Sequence, residues 1–261
     1  MNEQCHRADP RILRHRTLER NHRRLSEVLR HGMSVLDVGC GTGAITADIA
    51  RLAGPRGRVL GIDRDESLLA LAREEHGGIA NLRFAHGDIL TLEFEERFDV
   101  VTAARTLQWI GAPEIAIQRM MRAAIPGGWI VVLDYNHENN TWNPDPPPAF
   151  AHFYAAFLKW RQTNGWSNRM AEVLPELFIA QGIRDVAVHV DDEVARRGEP
   201  GFENAAEIWA HVAETIGRRL VIAGFLTERE LIEAQSEYRA WTAGGLQTQT
   251  LELRTVEGRI P

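Results

Sequence analysis

A glycine-rich turn between an apolar run and an amphipathic run constrains the fold of this chain more than any other feature. The turn spans Gly39–Gly43, follows the apolar run Ser34–Val38, and precedes apolar residues at helical spacing over 44–52. Glycine adopts positive φ angles at little cost and lets the main chain approach a ligand closely. The segment therefore predicts a strand, a tight turn and a helix whose first N–H groups can bind a ligand.

Short apolar runs and amphipathic segments alternate through the first half of the chain. This alternation is typical of βα units, in which helices cover a sheet of parallel strands. The predicted strands are Ser34–Val38, Val59–Ile62, Leu82–Phe84, Phe98–Val101, Trp129–Asp134, Ile183–Val190 and Leu246–Val256. We therefore expect an α/β protein with a mostly parallel, seven-stranded sheet.

The other periodic segments predict helices. These cover 10–31, 113–124, 149–164, 168–181, 203–217 and 227–241, and Thr227 with Glu230 has the spacing of a capping box. We expect a single domain over residues 1–261, whose core is formed by 32–135, 168–191 and 246–257. The segments 1–31, 136–165 and 200–242 are expected to form helical insertions that cap the active site.

Charge and cysteine content exclude several classes of function. The formal net charge is −6, and the sequence lacks the basic footprint of a nucleic-acid-binding protein. Neither Cys5 nor Cys40 has the spacing of metal ligands, so we expect no metal and a reducing compartment, the cytoplasm. The sequence shows no apolar stretch typical of a signal peptide or a membrane span. The expected partner is therefore a small molecule.

Two acids border the glycine turn. Asp37 precedes it, and Asp63 follows Gly43 at the end of the second predicted strand. A carboxylate at Asp63 can hold the two hydroxyls of a ribose, as in dinucleotide-binding folds. The dinucleotide fingerprint is Gly-x-Gly-x-x-Gly, whereas the third glycine here comes one residue earlier. Asp37 would also repel a pyrophosphate and attract an ammonium group, which favours a nucleoside that carries an amino acid.

In these segments the sequence resembles the Rossmann-like, class I S-adenosylmethionine-dependent methyltransferases. The matching motifs occur in the family's order and cover roughly 33–135. They are Asp37–Gly43, Gly61–Asp63, His86–Ile89, Phe98–Val101 followed by Ala104–Trp109, and Ile125–Gly128 leading into Trp129–Leu133. The chain is similar to the branch that acts on quinones and natural products. The resemblance implies a Rossmann-like fold and methyl transfer from S-adenosylmethionine to O, N or C of a small molecule.

The resemblance also implies positions for the cofactor. The expected contacts are Asp37, Gly39, Cys40, Gly41, Thr42 and Gly43 for the methionine portion, Asp63 for the ribose, Arg64, Asp88 and Ile89 for the adenine, and Ala104 and Arg105 near the methyl donor. For Arg105, the alternative is a surface ion pair. Contacts to the substrate are predicted at Trp109, Asn136, His137 and Trp142.

His137 is the candidate general base. It follows the fifth predicted strand, at the edge of the sheet where ligands of such folds bind, and histidine titrates near neutral pH. The alternative is a solvated loop histidine. Three other functions stay open: a nicotinamide-dependent oxidoreductase, a protein of this fold with a non-methylating reaction, and a methyltransferase acting on a macromolecule. The sequence leaves the substrate, the methylated atom and the oligomeric state open.

Overall fold

The computed structural model describes residues 9–261, so the expectations for Cys5 and its neighbours lie outside the described residues. Its strands are β1 (Ser34–Val38), β2 (Arg58–Asp63), β3 (Leu82–His86), β4 (Phe98–Ala104), β5 (Ala124–Tyr135), β6 (Thr141–Asn143), β7 (Arg184–Val190), β8 (Glu193–Arg196), β9 (Thr248–Leu251) and β10 (Leu253–Arg259). One sheet has the order β3-β2-β1-β4-β5-β10-β7, and a smaller sheet has the order β6-β9-β8.

The large sheet confirms the predicted architecture. Strands β1 to β5 are all parallel, and β10 runs antiparallel to β5 on one side and β7 on the other. The single strand predicted over Leu246–Val256 is wrong, because the chain changes sheets at Glu252. Main-chain groups of Glu252 pair with the Asn136 N–H and the Asn140 side-chain oxygen, and this separates β9 from β10.

The helices lie close to the predicted segments, except at the N-terminus. They are α1 (Pro10–Leu13), α2 (Leu18–Asn21), α3 (Arg23–Val28), α4 (Ala44–Ala53), α5 (Glu66–His76), α6 (Pro113–Ala123), α7 (Pro148–Thr163), α8 (Met170–Ala180), α9 (Phe202–Thr215), α10 (Gly217–Ile222) and α11 (Glu228–Gly244). The predicted capping box of α11 is present between Thr227 and Glu230. Such a cap stabilises a helix by about 1 kcal/mol.

The N-terminal helix predicted over 10–31 is instead three short helices. The chain breaks at His22, whose φ of −158° and ψ of 51° are not helical. The imidazole of His22 points inward and hydrogen-bonds to Thr102 on β4. A continuous helix with an exposed polar face would not allow this bond. Leu25 and Val28 of α3 are buried in the sheet's core, so α3 packs against the sheet.

The sheet buries both of its faces, as expected for parallel strands. Val35 of β1 packs in one core with residues of β2, β4, α3 and α4. Leu36, the next residue, points to the other face and packs with residues of β4, β5, α6 and α8. Burying each such side chain contributes about 1.5–3 kcal/mol. This core holds the carboxyl ends of β1, β2 and β4 in fixed positions.

The chain divides into two compact units. Of the described residues, the first comprises 9–135, Met170–Asp191 and Leu253–Pro261, and the second comprises Asn136–Arg169 and Asp192–Glu252. The first unit contains the seven-stranded sheet. The second contains α7, α9, α10, α11 and the three-stranded sheet. No helix among residues 9–261 is long and apolar enough to cross a membrane.

Candidate functional site

The glycine turn has the conformation that its sequence predicts. Gly41 and Gly43 have φ angles of 56° and 76°, in the left-handed region that favours glycine. A Cβ atom on Gly43 would lie 2.5 Å from Cζ of Phe84, so no larger residue fits there. The turn ends at Gly43, the N-cap of α4, whose first N–H groups therefore border the turn.

Asp37 lies beneath the turn. Its side chain is 4% exposed, and its Oδ2 accepts a hydrogen bond of 2.6 Å from the Thr46 hydroxyl in the first turn of α4. Burial raises the pKa of Asp37 to about 6, the bond from Thr46 opposes that rise, and the charge of Asp63 adds to it. Asp37 thus ties the end of β1 to the start of α4, and with its neighbour Asp63 it gives the turn a negative potential.

Asp63 braces the turn from the end of β2. Its Oδ2 accepts the Gly41 N–H at 2.8 Å, and its Oδ1 accepts the Asp65 N–H at 2.9 Å. Partial burial raises the pKa of Asp63, and the two main-chain bonds oppose that rise. A carboxylate oxygen can accept more than one hydrogen bond, so each Asp63 oxygen keeps capacity for a ligand hydroxyl.

The residues of the turn fit a ligand that is cationic and also hydrogen-bonds. Among the described residues, the buried hydroxyl of Thr42 has no hydrogen-bond partner, although buried polar groups are normally paired. Desolvation and the charges of Asp37 and Asp63 raise the pKa of the Cys40 thiol well above its usual range, so this thiol stays neutral. The negative charges of Asp37 and Asp63 suit an ammonium or sulfonium ligand and disfavour a phosphate, and the Thr42 hydroxyl can bond to a polar group of such a ligand.

The predicted adenine residues follow β2 and β3. Asp88 caps a single 3₁₀ turn, Ile89–Thr91, and accepts the Leu90 N–H at 2.9 Å. Ile89 is buried and packs in the same core as Ile62, whereas Arg64 is exposed. The two strand ends are joined, because the Gly87 N–H donates to the Asp63 carbonyl at 3.0 Å. Asp63, the last residue of β2, and Asp88, two residues after the end of β3, are therefore held at the ends of adjacent strands.

Arg105 follows Ala104, the last residue of β4, and is buried. Its φ of 58° is uncommon for a residue with a side chain and is a form of strain found at functional sites. Its Nε donates to the Tyr135 hydroxyl at 3.1 Å, and its Nη1 donates to the Asn21 carbonyl at 2.9 Å. The alternative of a surface ion pair is wrong, because the side chain is 5% exposed.

The predicted substrate residues divide between the two units. Trp109 ends a 3₁₀ turn of the first unit, and Asn136, His137 and Trp142 belong to the second. Within the second unit, the rings of His137 and Trp142 each lie 6.3 Å from the ring of Trp209. The Asn136 side chain donates to Glu252 at 3.1 Å, and the Trp142 indole donates to Gln249 at 2.9 Å.

His137 is not a solvated loop residue. Its side chain is 5% exposed, and its ring makes edge contacts with Phe157 and Trp209. Its main-chain N–H donates to Asn168 at 2.7 Å, and its carbonyl accepts the Tyr154 hydroxyl at 2.6 Å. Burial, with a smaller effect of the Arg161 charge, holds the pKa of His137 well below its usual range. The imidazole is therefore neutral at physiological pH.

Sequence reasoning did not identify several residues around the turn. The role of Thr46 could have been predicted. It lies in the first turn of the helix that follows the buried Asp37, and a hydroxyl in that position can bond to the acid. The roles of Leu13, His22 and Thr106 could not, because their contacts join distant segments of the chain. Across residues 9–261, no group of three side chains has the arrangement of a metal site.

Comparisons with known proteins show which family this chain resembles. The profile of a family described as a methyltransferase domain matches residues 29–174. The demethylmenaquinone methyltransferase of Staphylococcus aureus (strain JH9) is 34% identical over 133 residues, which cover 51% of this chain and 52% of that protein. The chain thus matches about half the length of this curated relative.

Two solved structures share the fold. Phosphoethanolamine N-methyltransferase 2 of Haemonchus contortus, solved with phosphomonomethylethanolamine and S-adenosylhomocysteine, has a TM-score of 0.57 at 21% identity. That match covers 92% of this chain and 52% of the Haemonchus contortus chain. A SAM-dependent methyltransferase from Aquifex aeolicus has a TM-score of 0.54 at 18% identity and covers 97% of this chain and 94% of its own. At these identities the likeness establishes the fold.

Proposed function

We propose that this chain, which belongs to the methyltransferase domain family, transfers the methyl group of S-adenosylmethionine to a small molecule. The observation that carries the proposal is the glycine turn bordered by two desolvated carboxylates, Asp37 and Asp63. S-adenosylmethionine carries a sulfonium and an ammonium group, both positive, together with a ribose and an adenine. The turn offers a negative potential for the first two and free carboxylate lone pairs for the ribose.

Different residues of the first unit would hold different portions of the cofactor. The main chain of Gly39–Gly43 and the Thr42 hydroxyl would bind the methionine portion, with Asp37 supporting the turn. Asp63 would accept the ribose hydroxyls, and Asp88 would accept the adenine amino group. The bound cofactor supplies an electrophilic methyl group. The protein's own contribution is to orient the acceptor and exclude water, which can supply several kcal/mol of the acceleration.

A nicotinamide dinucleotide fits this turn less well. The negative charges of Asp37 and Asp63 would repel its pyrophosphate, and the turn Gly39–Gly43 contains no basic residue that could offset them.

We infer a small acceptor because the acidic chain, with a net charge of −6, disfavours nucleic acid. The second unit contains an aromatic cluster in which the rings of Trp142, Phe150, Tyr154 and Phe157 surround that of Trp209. This cluster and the quinone in the name of the staphylococcal relative support an apolar, ring-containing acceptor.

Calorimetry and mass spectrometry test this proposal. Isothermal titration should detect binding of S-adenosylmethionine and S-adenosylhomocysteine and no binding of NAD⁺ at the same concentration. Incubation with S-adenosylmethionine and a panel of quinols, phenols and amines should then give a product heavier by one methylene group. Binding of NAD⁺ in preference to S-adenosylmethionine would overturn the cofactor assignment, and a product of unchanged mass would overturn methyl transfer.

We further propose His137 as the general base for an acceptor that must lose a proton. Because its pKa is held well below 6.5, the neutral imidazole that can take a proton is present throughout the neutral range. His137→Gln should lower kcat by about 10²- to 10⁴-fold with little change in cofactor affinity. The pH profile of the wild type should lose activity only below pH 6.5, as the imidazole becomes protonated.

The matched control is His152→Gln on the exposed face of α7, which should leave kcat unchanged. A His137→Gln rate within about threefold of wild type, less than 1 kcal/mol in the barrier, would exclude this role. In that case the imidazole would serve only to pack the aromatic cluster of the second unit.

A further inference from the structure

Strand β7 forms one edge of the seven-stranded sheet. Within residues 9–261 it pairs only with β10, so one side of β7 has no strand neighbour there. The Asp191 N–H donates to the Leu253 carbonyl, so the main-chain groups of Asp191 face β10. Successive residues of an antiparallel pair direct these groups to alternate sides, so those of Val188 and Val190 face the open side. An edge of this kind is a template for a further strand.

The side chains along this edge are apolar and partly exposed. Val186, Val188 and Val190 alternate along β7 and therefore lie on one face of the sheet. Val186 packs against the core of the first unit, whereas Val188 and Val190 are 49% and 61% exposed. Edge strands are commonly protected by a charged side chain or a proline, and the segment 186–190 contains neither lysine, arginine, aspartate, glutamate nor proline. The function proposed above gives these exposed valines no role.

The sequence of this edge is complementary to itself. The segment 186–190 is Val-Ala-Val-His-Val. If two copies pair antiparallel about Val188, the two Val188 residues exchange main-chain hydrogen bonds, and each Val190 lies opposite Val186 of the other copy. The valines of both copies then lie on one face of the joined sheet, where cross-strand pairs contribute about 0.2–1 kcal/mol each. Such a twofold pairing is isologous, so it closes with two copies.

Charges at the two ends of β7 favour this antiparallel pairing. The exposed Arg184 begins the strand, and Asp191 and Asp192 follow its end. Antiparallel pairing brings Arg184 of each copy to the acidic end of the other copy, whereas parallel pairing would place the two acidic ends together. Asp185 approaches the same acidic end, but Arg23 pairs with Asp191 at 3.7 Å and offsets its charge. The second copy therefore complements this edge in charge as well as in shape.

A bulge limits the length of the edge. The register between β7 and β10 shifts between Glu257 and Arg259, and Asp185 opposite this shift has a φ of 53°. A bulge bends its strand, so the regular edge is the five-residue segment 186–190. Standard interfaces contain about 20–30 residues a side. The short pairing therefore predicts a reversible dimer with a dissociation constant in the micromolar range.

We propose that β7 is a dimerisation edge, through which two copies of this chain pair antiparallel over 186–190 and join their large sheets into one. The proposal does not depend on the function proposed above. Strands β10, β5 and β4 lie between β7 and β1, so the paired edge is separated from the glycine turn that follows β1. Each copy then keeps its own glycine turn away from the strands that pair.

Sedimentation equilibrium of the full chain tests the pairing. The wild type should change from monomer to dimer between about 1 and 200 µM. Val188→Lys places two like charges opposite each other at the twofold axis and should raise the dissociation constant at least about 20-fold. Val190→Lys should act in the same direction, and unchanged far-UV circular dichroism will show that both variants fold. The matched control is Ile115→Lys on α6, at a residue that is 46% exposed in the same unit, which should leave the dissociation constant unchanged.

A cysteine at the axis gives a second, independent readout. Residues of a hydrogen-bonded antiparallel pair have Cα atoms about 5.5 Å apart, within the range that a disulfide spans. Mild oxidation of Val188→Cys should therefore give a covalent dimer that a reducing agent separates. The wild type, which retains Cys40, and Ile115→Cys should not form this product under the same conditions.

The outcomes decide the proposal. A wild type that stays monomeric over the whole concentration range overturns it, including the case in which the edge binds a different protein. A dimer that both lysine variants leave intact, or that Val188→Cys does not cross-link, has another interface and also overturns it. Weaker association of both lysine variants together with the Val188→Cys cross-link supports pairing through β7.

Discussion

Gly41→Val is expected to abolish binding of S-adenosylmethionine, with an affinity loss of more than 100-fold in calorimetry, while the protein stays folded. Gly41 has a φ of 56°, which a β-branched residue rarely adopts. The added side chain would project from the main chain of the turn, where the ligand is proposed to lie. The group that it meets is the flexible end of Leu13 and not the core, so most of the fold should survive.

Gly32→Val is the matched control for this variant. Gly32 has a φ of 90° and open space around its Cα, so the substitution introduces backbone strain away from the turn. That strain should cost about 1–2 kcal/mol of stability, seen as a lower thermal midpoint, with unchanged affinity. Normal binding by folded Gly41→Val would show that the turn does not contact the ligand.

Asp63→Ala is expected to weaken cofactor binding by about 1.5–3 kcal/mol, or roughly 10- to 150-fold, in calorimetry. Two effects combine. The variant removes the charge-assisted acceptor proposed for the ribose, and it releases the Gly41 N–H that Asp63 holds in place. Because the pKa of Asp63 is raised above its ordinary value, its charged form is lost at a higher pH than usual as pH falls. As pH is lowered, the affinity of the wild type for the cofactor should therefore begin to fall at a higher pH than at a site whose carboxylate has an ordinary pKa.

Two further variants separate these effects. Asp63→Asn keeps one oxygen acceptor and should lose less affinity than Asp63→Ala. Asp65→Ala removes the side chain that caps α5 through the Ser67 N–H. It should lower stability by about 0.5–2 kcal/mol with little change in cofactor affinity, since the Asp65 N–H that donates to Asp63 belongs to the main chain and is kept. Equal affinity of wild type and a folded Asp63→Ala would remove Asp63 from the cofactor site.

The sheet could be predicted from the sequence because its information is local. Each of β1 to β5 is an apolar run beside a turn signal, and Asp37, Gly41 and Asp63 stand at the ends of such runs. Parallel strands bring their carboxyl ends to one edge, which is why residues of separate motifs could be assigned to one site. The Gly41 to Asp63 hydrogen bond is the direct outcome of that arrangement.

The break in the N-terminal helices and the small sheet could not be predicted, because the contacts that determine them join distant parts of the chain. His22 looks like part of a helix until its partner Thr102, on another strand, is known. The three residues of β6 carry no periodic signal, and β9 is distinguished from β10 only by the contacts of Glu252. The environment of His137 also depends on distant residues. The composition of its loop is typical of a solvent-exposed histidine, whereas contacts with Phe157 and Trp209 bury its ring.

The place of β10 in the sheet has a consequence for how the protein acquires its fold during synthesis. This strand lies between β5 and β7, and Val256 is opposite Val132 on one side and Val188 on the other. Strands β5 and β7 leave the ribosome well before residues 253–259. Until β10 is synthesised, the edge of each strand that pairs with it stays unpaired. Late, long-range pairing of this kind slows folding and exposes strand edges to misassembly. Chaperone dependence should therefore be greatest for nascent chains that already contain β7 but not yet β10.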